Sequence, residues 1–259
     1  MDILFEPTLT TYLIILPLIF FAGLVDAIAG GGGLISLPAY LIAGLPPHVA
    51  LANNKMSSCF GTLFSTARYF KHGMIDVRVA VVGAVFALIG SNLGTLAVLK
   101  INPFFLNYLL VVLIPIITVF TFLNKGFGHK NTSGDFSLTY KILLASLAGL
   151  IIGFYDGFFG PGTGAFLILF FTLVLKYDFT VANGNTKVIN LASNVASLAT
   201  FIFNGKVLFL IGIPAALAGI AGNLIGSKIV VKKGNKVIRP IFLCVCILLF
   251  GKVVWDLFI

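Results

Sequence analysis

The chain has 259 residues, 59% of them hydrophobic and only 10% charged, with a net charge of +9 and a mean hydropathy of +1.11. A soluble domain carries about 25% charged residues, so the composition excludes one and indicates a polytopic membrane protein. The basic residues lie in short loops between apolar runs, where they act as topology determinants rather than as a nucleic-acid surface, and no nucleic-acid partner is expected.

The N-terminus, MDILFEPT, has Asp2 and Glu6 and no basic stretch, so the first apolar run is expected to persist rather than to be cleaved as a signal. Ten apolar segments follow, at about 9–29, 34–44, 48–70, 76–99, 103–123, 138–159, 164–176, 180–203, 207–230 and 237–258. A spanning helix needs about 20 apolar residues, and eight segments have that length. The second and seventh hold about 11 to 13 and reach only about 17–20 Å at 1.5 Å per residue. They are expected to be broken or re-entrant half-helices. Pro17, Pro115 and Pro214 fall inside apolar runs as candidate kinks.

The chain repeats itself. Gly23, Asp26, Gly30 and Gly32 fall on Gly153, Asp156, Gly160 and Gly162 at an offset of 130. After a two-residue insertion the offset is 132, and Ala50, Asn53 and Lys55 meet Ala182, Asn185 and Lys187. Gly73, Gly90 and Gly94 likewise meet Gly205, Gly222 and Gly226. Residues 1–124 and 138–259 thus form two five-segment repeats, joined by a polar cytoplasmic connector at 125–137. An odd number of crossings inverts the second repeat. Loop charge agrees: Arg68, Lys71 and Arg78, then Lys125, Lys130 and Lys141, then Lys228, Lys232, Lys233, Lys236 and Arg239 mark cytoplasmic loops, whereas the fourth and eighth loops hold only Lys100 and Lys206. Both termini are then outside.

Candidate chemistry gathers at the repeated motif. Gly30, Gly31, Gly32 and Gly33, and Gly160, Gly162, Thr163 and Gly164 around Pro161, each precede a short apolar segment. A half-helix starting there aims unpaired amides and a positive dipole end at what lies beyond, although small residues also serve plain helix packing. Paired interrupted segments in two halves point to a transporter site. Lys55 and Lys187 lie about 10 Å into their segments. Each is either an anion ligand or half of a structural ion pair, Lys55 with Asp26 and Lys187 with Asp156. Lys55, Ser58, Thr62 and Ser65 share one helical face, as do Lys187, Asn190, Asn194 and Ser197, and Asn53, Asn54, Asn185 and Thr186 add donors at the mouth of each stripe. Asp26 and Asp156 either anchor the broken helices or exchange protons.

Three cysteines, Cys59, Cys244 and Cys246, are too few for a disulfide framework and are expected as buried small hydrophobes. His48, His72 and His129 fall at segment ends or in loops, so neither a metal site nor a cofactor is expected.

The doubled Asp-then-glycine motif and the Asn-rich start of the helix after it resemble the TauE/SafE (TSUP) sulfite-exporter-like permeases, over about Leu9 to Phe258. The resemblance implies an inner-membrane carrier for small sulfur-containing anions such as sulfite, thiosulfate or sulfonates. Pro161 and Thr163 replace glycines of the first copy, which makes the half-sites unequal. The leading expectation is a gradient-coupled secondary anion transporter, since no nucleotide-binding motif is present. A channel of the same architecture is the alternative. An intramembrane hydrolase is disfavoured, because the glycine–any–glycine–Asp, HExxH and GxSxG motifs are missing. Partners would be a small anion, lipid, protons in a coupled cycle and a second copy in a homodimer.

Overall fold

The computed structural model describes residues 6–101, 131–238, 240–242 and 244. Helix α1 (Leu9–Ala29) starts in a capping box between Thr8 and Thr11 and ends on Gly30. The chain turns back as the ten-residue α2 (Gly33–Ile42), then runs through α3 (Pro47–Lys71) and α4 (Val77–Leu99). After a 3-10 turn at Ser133–Asp135 come α5 (Leu138–Phe158), the short α6 (Thr163–Leu169) continued by a π turn at Phe170–Val174, α7 (Phe179–Phe203) and α8 (Phe209–Lys233). The two short apolar helices therefore sit where the segment lengths put them.

Among the described residues, α1, α4, α5, α7 and α8 are long and apolar enough to cross a membrane. Helix α3, expected as one of eight full-length spans, has the length but is not among these five. It has 25 residues, as many as α7, but lacks the apolar content. Its polar residues are turned inward: Asn53, Asn54, Lys55, Ser57, Thr62 and Ser65 are all buried. The fifth segment and most of the tenth lie outside the described residues, as do Pro115, His129 and Cys246. Cys59 is half-buried and Cys244 exposed, so neither is the buried hydrophobe expected.

The halves are interlocked rather than side by side. Helix α1 packs on α8, and α5, its counterpart, packs on α4; α3 packs on α8, and α7 on α4. Helices α3 and α7 meet each other running antiparallel, because Lys55 reaches Asn194 while Thr66 reaches the Lys187 carbonyl. Glycines of the repeat make these seams. A Cβ at Gly90 or Gly94 would strike the Leu150 or Phe154 carbonyl oxygen, and one at Gly222 would strike that of Phe20. At Gly226 it would lie 2.6 Å from the Leu24 oxygen. Two of the three glycine pairs matched at an offset of 132, Gly90 with Gly222 and Gly94 with Gly226, are thus helix-contact positions, where small residues let backbones close in, whereas Gly73 and Gly205 are left-handed turn residues with nothing within 4 Å of an added Cβ.

On one face of the bundle a polar knot ties the loops. Tyr177 donates to Asp76 at 2.6 Å, Lys141 lies 3.9 Å from the same carboxylate, and Asn185 accepts the Asp76 amide at 2.8 Å. Burial, then the hydrogen bond and charge of Asp76, push the Tyr177 hydroxyl well above its usual pKa.

Overpacking a tight core typically costs about 1–3 kcal/mol. Gly90→Ala should therefore lower the unfolding midpoint of the detergent-solubilised protein, whereas Gly134→Ala, with nothing within 4 Å of the added carbon, should leave it unchanged. Equal midpoints would mean that the α4–α5 seam is loose.

Candidate functional site

Both helix breaks depend on left-handed backbone. Gly30 has φ 71°, and Gly160 and Gly162 have φ 98° and 85°, a region closed to most side chains. The breaks also touch: a Cβ at Gly30 would lie 2.5 Å from the Gly164 carbonyl carbon, and one at Gly33 would lie 3.0 Å from the Pro161 Cα. Tyr155 donates to the Pro161 carbonyl at 2.6 Å and Thr163 to that of Gly160 at 2.7 Å, which fixes the second loop. The first amides of α2 are less open than expected. Leu34 bonds to the Gly31 carbonyl, and Ile35 and Ser36 to that of Gly32.

The lysines form ion pairs, but not within their own halves. Lys55 Nζ lies 2.8 Å from Asp156 Oδ1, and Lys187 Nζ lies 2.8 Å from Asp26 Oδ2. The expected pairs are therefore exchanged between repeats. The physical reason is the interlock: α1 ends beside α7, where Asn183 donates to the Ala27 and Ile28 carbonyls, while α5 ends against α3. All four side chains are withdrawn from solvent, with 2% and 3% exposed in the first pair and 0% and 15% in the second. Each carboxylate faces a lysine rather than its twin, unlike an acid–base dyad that shares one proton.

The pairs differ in their second partners. Lys55 also donates to Asn194 Oδ1 at 3.2 Å, and Asp156 Oδ2 accepts from Ser193 at 2.5 Å. Lys187 instead donates to the Asp26 backbone carbonyl as well as to its carboxylate. It thus caps the end of α1, where a cation offsets the helix dipole.

A cavity of about 20 Å³ lies between the two breaks. Gly30 and Gly33 line it from one side, and Gly160, Thr163 and Gly164 from the other. Asp26, Asn54, Lys55 and Ser58 meet Asp156, Asn190 and Asn194 across it. That space suits one water, which needs about 10–15 Å³, and is too small for a sulfur oxyanion. The described conformation is closed. A second small cavity, of about 10 Å³, adjoins Asp26, Gly32 and Ser58.

Other expected residues stand outside the main cavity. Gly31, Gly32 and Gly162 shape the loops behind it. Asn53 donates to the Val49 carbonyl on its own helix, and Asn185 serves the α3–α4 loop. Thr186 is buried with its hydroxyl unpartnered, and Lys187 is engaged at the end of α1. Ser65 bonds to the Thr62 carbonyl of its own helix, while Ser197 bonds to Ser91 and Thr95 of α4, so only the second stripe ends in a helix–helix bond. Sequence reasoning missed Ser193. Its counterpart at offset 132 is Gly61, so the repeat gave no signal, although Ser193 lies one turn past Asn190 on the same helix.

The sequence model of the family described as "Sulfite exporter TauE/SafE" matches residues 15–253. A probable membrane transporter protein of Haemophilus influenzae is 34% identical over 92% of this chain and 92% of its own length. The probable membrane transporter protein YfcA of Escherichia coli K12 is 32% identical over 91% of this chain and 86% of its own. ORF9 of Sinorhizobium sp, also a probable membrane transporter protein, is 35% identical over 92% and 90%. No solved structure matches.

Breaking a buried ion pair from one side costs about 3–5 kcal/mol, whereas removing both charges costs far less. Lys187→Met should therefore destabilise the protein by about that amount, and adding Asp26→Asn should recover most of the loss. Adding Asp156→Asn should not. Denaturant unfolding of the three variants in detergent decides between crossed and within-half pairing.

Proposed function

The chain belongs to the sulfite exporter TauE/SafE family of membrane transporters, and we propose that it is a secondary carrier for small sulfur-containing anions of the sulfite, thiosulfate or organosulfonate class, working in the inner membrane. The observation that carries this reading is the small polar cavity at the paired helix breaks. A lysine and asparagine, serine and threonine side chains line it from both halves. These are donors suited to a tetrahedral or pyramidal oxyanion, and an ammonium group compensates charge where water is scarce.

The two halves would be inverted repeats with both termini outside. The antiparallel meeting of α3 with α7 and the reciprocal packing of α1 on α8 and α5 on α4 support this. A cavity too small for its solute fits a carrier caught closed, which opens to either side by rocking one repeat against the other. A channel would need a continuous path through the same region. Transport would be coupled to a gradient, with protons as the candidate driving ion.

Liposomes containing the purified protein should take up labelled sulfite, thiosulfate or methanesulfonate with saturation and with counterflow. Lys55→Ala should lower uptake at least tenfold. Linear flux without counterflow would turn the reading to a channel, and no flux of any of the three would remove the sulfur-anion assignment.

A further inference from the structure

The two ion pairs are alike in the repeat but not in surroundings, and the difference assigns them different work. Lys187 is tied to the Asp26 backbone carbonyl as well as to its carboxylate, so it stays fixed at the end of α1 even if the carboxylate lets go. Thr62 is the other side chain on that carboxylate, at 3.5 Å. Among the described residues Lys55 has no backbone acceptor; its partners are the side chains of Asp156 and Asn194. It borders the cavity directly, with the Gly160 Cβ position 3.2 Å from its ammonium nitrogen.

Ser193 adds the decisive feature. Its hydroxyl lies 2.5 Å from Asp156 Oδ2 and 3.0 Å from the Asn190 backbone carbonyl. Against an ionised Asp156 it donates to the carboxylate. Against a protonated one it can turn its hydrogen to Asn190 and accept the new O–H. The site is thus satisfied in both protonation states, as a buried polar group must be to escape a desolvation penalty.

On the anion-carrier reading above, we propose that a monovalent oxyanion replaces Asp156 on the Lys55 ammonium while Asp156 takes up one proton, and that Lys187–Asp26 stays closed as the anchor of α1. The charges balance. An ammonium and a carboxylate, plus one anion and one proton, become an ammonium–anion pair beside a neutral carboxylic acid. Releasing the carboxylate without the proton would leave an uncompensated charge in the protein interior, the costliest arrangement available. The proton and the anion therefore enter together, from the same side, one for one. Among the described residues, the titratable and charged groups around Asp156 are Lys55 and Cys59 of α3, Tyr155 on its own helix, and Asp26 of α1 across the cavity. Helix α4 presents Ser91 and Thr95 beside Gly157, α6 presents Thr163, and α7 presents Ser193 and Asn194; these supply hydroxyl and amide groups only.

Two measurements test this. The first needs no substrate. Infrared spectra of the protein in lipid nanodiscs at neutral pH should show a protonated-carboxyl band in Lys55→Met that is absent from the unsubstituted protein. The band should vanish in Lys55→Met with Asp156→Asn. If Lys55→Met folds and gives no such band, Asp156 does not take the proton and the proposal falls, whatever the substrate. The second uses methanesulfonate, a permanent monoanion, in proteoliposomes with the membrane potential clamped at zero. Accumulation should reach about tenfold per unit of imposed pH gradient, the equilibrium ratio for one proton per anion. Asp156→Asn should lose this accumulation, read as the final ratio with the pH gradient against that without it, while Ser193→Ala should weaken it. Accumulation that survives in Asp156→Asn, or that follows the membrane potential instead, overturns the proposal. If methanesulfonate does not move at all while the infrared bands behave as stated, the sulfonate assignment fails and the proton site stands.

Discussion

Two ammonium groups inside an apolar bundle impose the constraint on which the rest of this structure depends. Each must meet a carboxylate, and each finds it on the other half of the chain. Because Lys55 needs Asp156 and Lys187 needs Asp26, neither half can neutralise its own charges. The repeats must interlock, and their broken helices must end within reach of one another. The glycine loops make that possible: a side chain at Gly30 or Gly164 would separate the breaks and pull the carboxylates out of range. Stability alone does not explain such pairs, since apolar residues of similar size generally do as well or better. Lys55, Asp156 and Asp26 line the polar cavity between the helix breaks, which is what connects them to the proposed transport.

Around that centre the glycine seams have a second consequence. With α4 against α5 and α1 against α8 at backbone contact, the long helices form two rigid walls, each built from both halves. Helices α3 and α7, the polar pair, run antiparallel between them. In a bilayer there is little hydrophobic drive to hold helices together, and close backbone approach does that work. Helix α3 can therefore carry lysine, asparagine and serine without itself being apolar enough to count as a span.

Much of this was legible in the sequence. The offset repeat located both breaks, both half-helices and both lysines, because glycine, aspartate and lysine are conspicuous in apolar runs. The exchanged pairing was not legible. Spacing places Asp26 near Lys55 along the chain, and nothing local reveals that α1 ends beside α7. The bland half of the pattern was also underestimated. Ser65 and Ser197, placed on the same helical faces as the lysines, bond to nearby helix groups instead, since a hydroxyl in an apolar setting takes whichever acceptor is closest. Ser193 was invisible for the opposite reason, being the place where the repeat fails.

That failure of the repeat bears on how such a molecule can work. A carrier built from two equivalent halves needs the halves to be interchangeable in shape so that two facing states have similar energy. It also needs them to differ in chemistry, so that one event couples to the other. Here the shape elements match: the glycines of the seams and the lysines all have counterparts. Among the differences are the immediate partners of the charges. Ser193 faces Gly61, Asn194 faces Thr62, and the second loop carries Pro161 and Thr163 where the first has glycine. One pair is thereby fastened to a helix end, and the other is left with side-chain partners that can rearrange. On the proposed carrier reading, the repeat would supply the two facing states, and these departures from it would decide which of the two carboxylates lets go.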